Sequence, residues 1–97
     1  MEMADKQQRV TLVFEGRVQG VGFRFTAVDI AARHRITGYV RNEWDGTVSV
    51  VAEGRTSAIE AFIAAIYRSH LGMGIHNEQR NWTEATGEFE RFEIRYG

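Results

Sequence analysis

The stretch that most constrains the fold is GRVQGVGFR, residues 16–24, because the spacing of apolar residues changes across it. Before it, Val10, Leu12 and Phe14 alternate with Thr11 and Glu15, as a strand with one buried face requires. After it, Phe23, Ala27, Ile30, Ala31 and His34 recur at helical spacing, and Asp29 stands four residues before Arg33 as a surface pair. A chain that passes from strand to helix this quickly needs backbone freedom at the turn, and glycine supplies it.

The rest of the chain continues the pattern. Ile36, Gly38 and Val40 alternate with polar neighbours, and Val48, Val50 and Ala52 do so again after Asp45-Gly46, which predicts a β-hairpin with a loop of four or five residues. Ser57 and Glu60 have capping-box spacing ahead of Ile59, Phe62, Ile63, Ile66 and Tyr67, an apolar stripe that predicts a second helix to about Gly72. In RFEIRY, Phe92, Ile94 and Tyr96 alternate with charged residues as a last strand. The stretch from 73 to 86 is mostly polar, and its strand signal is weak. The order predicts an α+β fold: a ferredoxin-like βαββαβ sandwich, its antiparallel sheet covered on one face by two helices, with a short extra C-terminal strand. Residues 1–8 lack apolar periodicity and are expected to form a flexible N-terminal segment, leaving residues 9–97 as a single domain.

Composition narrows the function classes. A chain of 97 residues has room for one core. Its net charge of −1 offers no general attraction for nucleic acid or anionic lipid, and strand three, GTVSVVAEG, lacks the paired aromatics that stack bases. No run approaches the roughly 20 apolar residues of a membrane span, and no signal-peptide core precedes the first strand. Cysteine is absent, which removes thiolate chemistry and points to the cytoplasm. A monomer without nucleic-acid or membrane partners is expected.

The glycine turn fits neither familiar phosphate motif: no Gly-Lys-Ser/Thr is present, and Phe25 stands where the dinucleotide fingerprint needs a third glycine. What remains is a strand end, glycines that free the amides to converge, and the positive end of a helix dipole. Arg24 in the first helical turn could offer its planar fork to two oxygens of a phosphate or carboxylate. The same spacing is equally compatible with a plain turn followed by a solvated arginine. Asn42 shares the inward parity of Gly38 and Val40 at a strand end, where an amide suits either a water-orienting role or simple turn chemistry. His34, His70 and His76 show no metal-ligand spacing, so they read as structural or solvated residues and no metal site is expected. The aromatics Phe14, Phe23, Phe62, Phe92 and Tyr96 read as core.

Taken together, GRVQGVGFR and the later GYVRNEWDGTV (residues 38–48) resemble the paired signature of the acylphosphatase family. The resemblance runs from Val10 to Glu53, resumes in the second helix and returns at Trp82 and GEFERFEIRY. It implies a ferredoxin-like enzyme that hydrolyses carboxyl-phosphate bonds without a cofactor, giving a carboxylate and inorganic phosphate. By the same resemblance Arg24 binds the phosphate, Asn42 orients the attacking water, and the backbone of Gln19, Gly20, Val21, Gly22 and Phe23 forms the phosphate cradle. The chain departs from the family in LGMGIHNEQRNWTEA, where Gly-Pro and apolar alternation are usual, and in His34-Arg35-Ile36, where a Gly-Leu connection is usual. A competing reading keeps the fold and the anion site but drops the catalysis, as a regulatory or maturation domain.

Overall fold

The computed structural model describes residues 5–97. Strand β1 (Gln7–Gly16) is followed by helix α1 (Phe23–Arg33), strands β2 (Thr37–Asn42) and β3 (Val48–Arg55), helix α2 (Thr56–Arg68), a single 3-10 turn over Gly72–Gly74, and strands β4 (Ile75–Glu84) and β5 (Phe92–Arg95). The sheet order is β4-β1-β3-β2-β5. The first four strands pair antiparallel, as the sequence predicts, but β5 runs parallel to β2, so the sheet is mixed. The parallel pairing follows from topology. β4 and β5 occupy opposite edges, and the segment joining them crosses the sheet instead of turning back beside β4.

Register puts the apolar alternation to use. Val10, Leu12 and Phe14 stand opposite Ala52, Val50 and Val48, and Val50 stands opposite Val40. These side chains pack with Ala27, Ile30 and Ala31 of α1 and Ile59, Phe62 and Ile66 of α2 into one core. Burying each such valine, leucine, isoleucine or phenylalanine side chain contributes about 1.5–3 kcal/mol, which makes this layer the main support of the fold.

The opposite face of the sheet carries a polar clamp. Glu53 is 4% exposed, and its carboxylate accepts hydrogen bonds from Arg9 Nε at 2.7 Å, Thr86 N at 2.9 Å, Thr86 Oγ1 at 3.0 Å and Gly87 N at 3.0 Å. The crossing segment is thereby tied over β1 and β3, and Phe89 packs edge-on against Tyr39 at 6.0 Å between ring centroids.

Several local expectations change in the fold. Residues 1–4 lie outside the described residues, but Gln7 and Gln8, expected to be flexible, pair with Arg55 and Gly54. The predicted Ser57/Glu60 capping box does not form. Instead Asp5 reaches α2, accepting from Ser57 N at 2.9 Å and from Ser57 Oγ at 2.9 Å. Helix α2 stops at Arg68, short of Gly72, because Ser69 turns to an extended conformation. The weak strand signal after residue 73 belongs to a ten-residue edge strand, β4. Two of its helix-facing residues are polar and satisfied: Glu78 accepts from the Tyr67 hydroxyl at 2.6 Å, and Arg80 Nη2 donates to Glu78 Oε1 at 2.9 Å. Among the described residues, no helix is long and apolar enough to cross a membrane.

Candidate active site

The glycine stretch leaves the sheet where β1 ends. The pairing with β4 shifts register at Glu15/Gly16, and Gly16 has φ +126°, with space so tight that a Cβ would lie 2.3 Å from Gly74 O. Beyond it Arg17 N donates to Gly74 O at 2.8 Å and Val18 is fully buried, which pins the near end of the loop. The far end is pinned by Phe23, whose ring lies 5.2 Å from that of Phe14. Between them Gly20 and Gly22 take φ values of +75° and +78°, which L side chains rarely adopt. The first backbone bond of the helix runs from Thr26 N to Gly22 O at 3.0 Å. The amides of Gln19, Gly20, Val21, Gly22 and Phe23 therefore donate to no backbone acceptor among the described residues, at the positive end of the α1 dipole.

Asn42 lies at the same end of the sheet. It stands opposite Val48, and Val48 stands opposite Phe14, so the three residues form one row across β2, β3 and β1 on the helix-covered side. The side-chain oxygen Oδ1 of Asn42 is buried and has no hydrogen-bond partner among the described residues. An acceptor left unpaired in this way costs about 1–3 kcal/mol, so its place at a strand end beside open space is informative. That space, about 570 Å³, is lined by Arg41, Asn42, Glu43, Trp44 and Gly97.

One side chain fastens the two halves together. Gln19 Nε2 donates to Glu43 O at 2.6 Å and to Thr47 O at 2.9 Å, so the glycine loop grips the hairpin loop that follows Asn42. The hairpin loop, five residues long, is closed by Glu43 N donating to Thr47 O at 2.9 Å and by Thr47 N donating to Asp45 Oδ1 at 3.0 Å. The Glu43 carboxylate accepts from Ser49 Oγ and from Arg41 Nε, and these bonds hold it below the usual carboxylate range. Arg41 is thus already paired, whereas Arg24 has no ion pair among the described residues.

No hydrogen bond joins Arg24 to Asn42 among the described residues. Arg24 Cζ stands 5.4 Å from the centre of the Tyr96 ring, and the next residue, Gly97, lines the hollow with Asn42. Tyr96 was expected in the core but is 76% exposed, because β5 ends at Arg95 and the ring turns to Arg24. Trp44, 99% exposed, borders the hollow. His34 Nδ1 lies 2.9 Å from Ile30 O at the end of α1. His70 and His76 line a separate groove of about 410 Å³ with Arg17 and Val21. Sequence reasoning missed the linking role of the Gln19 side chain and the position of Tyr96; the motif spacing contains no signal for either.

Known proteins match the chain closely. The family model for acylphosphatase matches residues 10–94. An acylphosphatase of Salinibacter ruber is 40% identical over 89 residues, covering 92% of this chain and 94% of the relative. The crystal structure of acylphosphatase from Bacillus subtilis superposes with a TM-score of 0.85 at 29% identity, covering 92% of this chain and 99% of that one. Full-length HypF in its phosphate- and nucleotide-bound form superposes with a TM-score of 0.84 at 29% identity, over 98% of this chain but 12% of HypF. A family model spanning both halves of the site, with relatives this similar over nearly their whole length, makes the chain a member of the acylphosphatase family.

Proposed function

We propose that this protein hydrolyses acyl phosphates, with the phosphoryl group held by the amides of residues 19–23 and by Arg24 and with the water oriented by Asn42. The observation that carries the reading is the buried, unpartnered Oδ1 of Asn42 in the same row as the end of β1, from which the free amides of the glycine loop depart. An acceptor oxygen holds a water by its hydrogen, and that leaves the lone pair of the water free to attack.

The chemistry asks for little more. Water attacks phosphorus, the bond from phosphorus to the acyl oxygen breaks, and the carboxylate leaves without needing a proton. A phosphoryl oxygen of the substrate takes the proton of the water, so no side-chain base is required. Charge gathering on the equatorial oxygens meets the amides and the Arg24 fork, and positioning with charge stabilisation carries the rate. No step depends on a metal ion, and a chelator should leave the rate unchanged.

Release of inorganic phosphate from acetyl phosphate or benzoyl phosphate tests this. Arg24→Ala should lower kcat/KM by roughly 10³-fold and Asn42→Ala by roughly 10²-fold or more. Full activity in Arg24→Ala would place the site elsewhere. The second reading, an anion-binding domain without turnover, is favoured by the match to one segment of the much longer HypF. It predicts phosphate binding with no hydrolysis in the unaltered chain.

A further inference from the structure

The connection between α2 and β4, residues 69–74, meets the glycine loop at two points. Gly74 O accepts from Arg17 N at 2.8 Å, at the start of the loop. His70 Nε2 lies 3.0 Å from Val21 O, at its centre. A carbonyl oxygen only accepts, so the imidazole is the donor and carries a proton on Nε2.

The frame that presents His70 is itself held. Ser69 N donates to Ala65 O at 3.1 Å and Ile66 O at 3.2 Å, Leu71 N donates to Ser69 Oγ at 3.1 Å, and the Leu71 side chain is buried. Gly72 and Gly74 pass so close to neighbouring backbone that a Cβ would lie 2.0 Å from Tyr67 O and 2.3 Å from Arg17 O. Val21, by contrast, lies between two glycines at positive φ, and one of them, Gly22, forms the far side of the Val21–Gly22 peptide, where the backbone turns freely. No peptide bond in the described chain is cis, so the Val21 C=O and the Gly22 N–H point in opposite directions from one plane. Whatever fixes the carbonyl also aims the amide.

We infer that His70 is a positioning residue for the phosphate cradle: its Nε2–H anchors the Val21 carbonyl and thereby directs the Gly22 N–H inward. This rests on residues 19–23 binding phosphate, as proposed above. His70 is exposed and its ring bonds the Val21 carbonyl, so its effect on the cradle passes through that peptide.

The test uses the full chain with His70→Ala and His70→Gln, inorganic phosphate as competitive inhibitor and benzoyl phosphate as substrate. In His70→Ala the inhibition constant of phosphate and the KM should rise together about fivefold to tenfold, the size of one ordinary hydrogen bond, while kcat changes less than about twofold. Glutamine can donate from a similar position, so His70→Gln should recover most of the loss. Unchanged constants in His70→Ala overturn the assignment. A second measurement needs no ligand: the ring-nitrogen NMR signals of His70 should show the Nε2–H tautomer, and an Nδ1–H tautomer also overturns it. A chain with a protonated Nε2 that neither binds phosphate nor hydrolyses substrate would instead refute the proposed function, together with the role of His70 in it.

Discussion

At the scale of single residues, the proposed chemistry depends on a few atoms that must be held in place. Arg24 and Asn42 were legible in the sequence, because each stands at a fixed distance from glycines or from a strand end within its own motif. Gln19 was legible only as part of the loop backbone. Its side chain matters because both amide hydrogens are used on carbonyls 24 and 28 residues away, tying the loop to the hairpin. Removing that tie should let the amides and Asn42 drift apart, and small misplacements of reacting groups are costly. Gln19→Ala should therefore lower kcat/KM for acetyl phosphate roughly tenfold with little loss of stability. Gln19→Glu, which sets an acceptor against two acceptors, should do worse than alanine. Equal activity in the unaltered and alanine forms, measured side by side, would deny the tie any part in catalysis.

At the scale of elements, local sequence predicts helices and strands better than their ends. The end of α1 is an example. Ile36 N donates to Ala31 O at 3.2 Å, closing the helix with Arg35 at φ +57°, a left-handed position that glycine fills more easily. A side chain there costs about 1 kcal/mol, so Arg35→Gly should stabilise the protein by up to that amount, read as a higher urea midpoint at unchanged m-value. The start of α2 shows the reverse case. The Ser57/Glu60 spacing looked sufficient for a cap, but Asp5, 52 residues away, takes the Ser57 amide. Strand β4 was faint because an edge strand with Glu78 and Arg80 on its inner side lacks apolar alternation. Polar edges also discourage pairing with another chain, and on that ground we propose a monomer in solution, which light scattering at 11.1 kDa per chain would verify.

At the scale of the whole molecule, the clamp on the open face of the sheet couples stability to pH. Burial opposes ionisation of Glu53, but the Thr86 N–H, the Arg9 guanidinium and the Gly87 N–H prevail and hold its carboxyl below the usual range. Arg80 does the same for Glu78. A carboxyl whose folded pKa lies below its unfolded value stabilises fully above the usual carboxylate range. That stabilisation drains away as pH falls through the lower, folded value. Tyr67 works at the other limit. Burial and its bond to Glu78 push its pKa up to about 12, so its contribution is full below the usual tyrosine value and is lost only as pH rises through about 12. The urea midpoint should hence be level through the neutral range and decline below roughly pH 4.5. Glu53→Gln should cost about 2 kcal/mol at neutral pH and flatten the acid decline. An unaltered acid limb would mean that other carboxylates govern it. The sequence by itself determined the element order, the buried faces and the glycine turn, because side-chain period and left-handed backbone needs are properties of neighbouring residues. Only the tertiary structure decided the parallel β5, the clasp of Gln19 on the hairpin, the exposure of Tyr96 beside Arg24 and the contact of His70 with Val21. Each of these joins residues far apart in the chain, and their meeting depends on how the sheet is ordered and crossed, which no local pattern encodes.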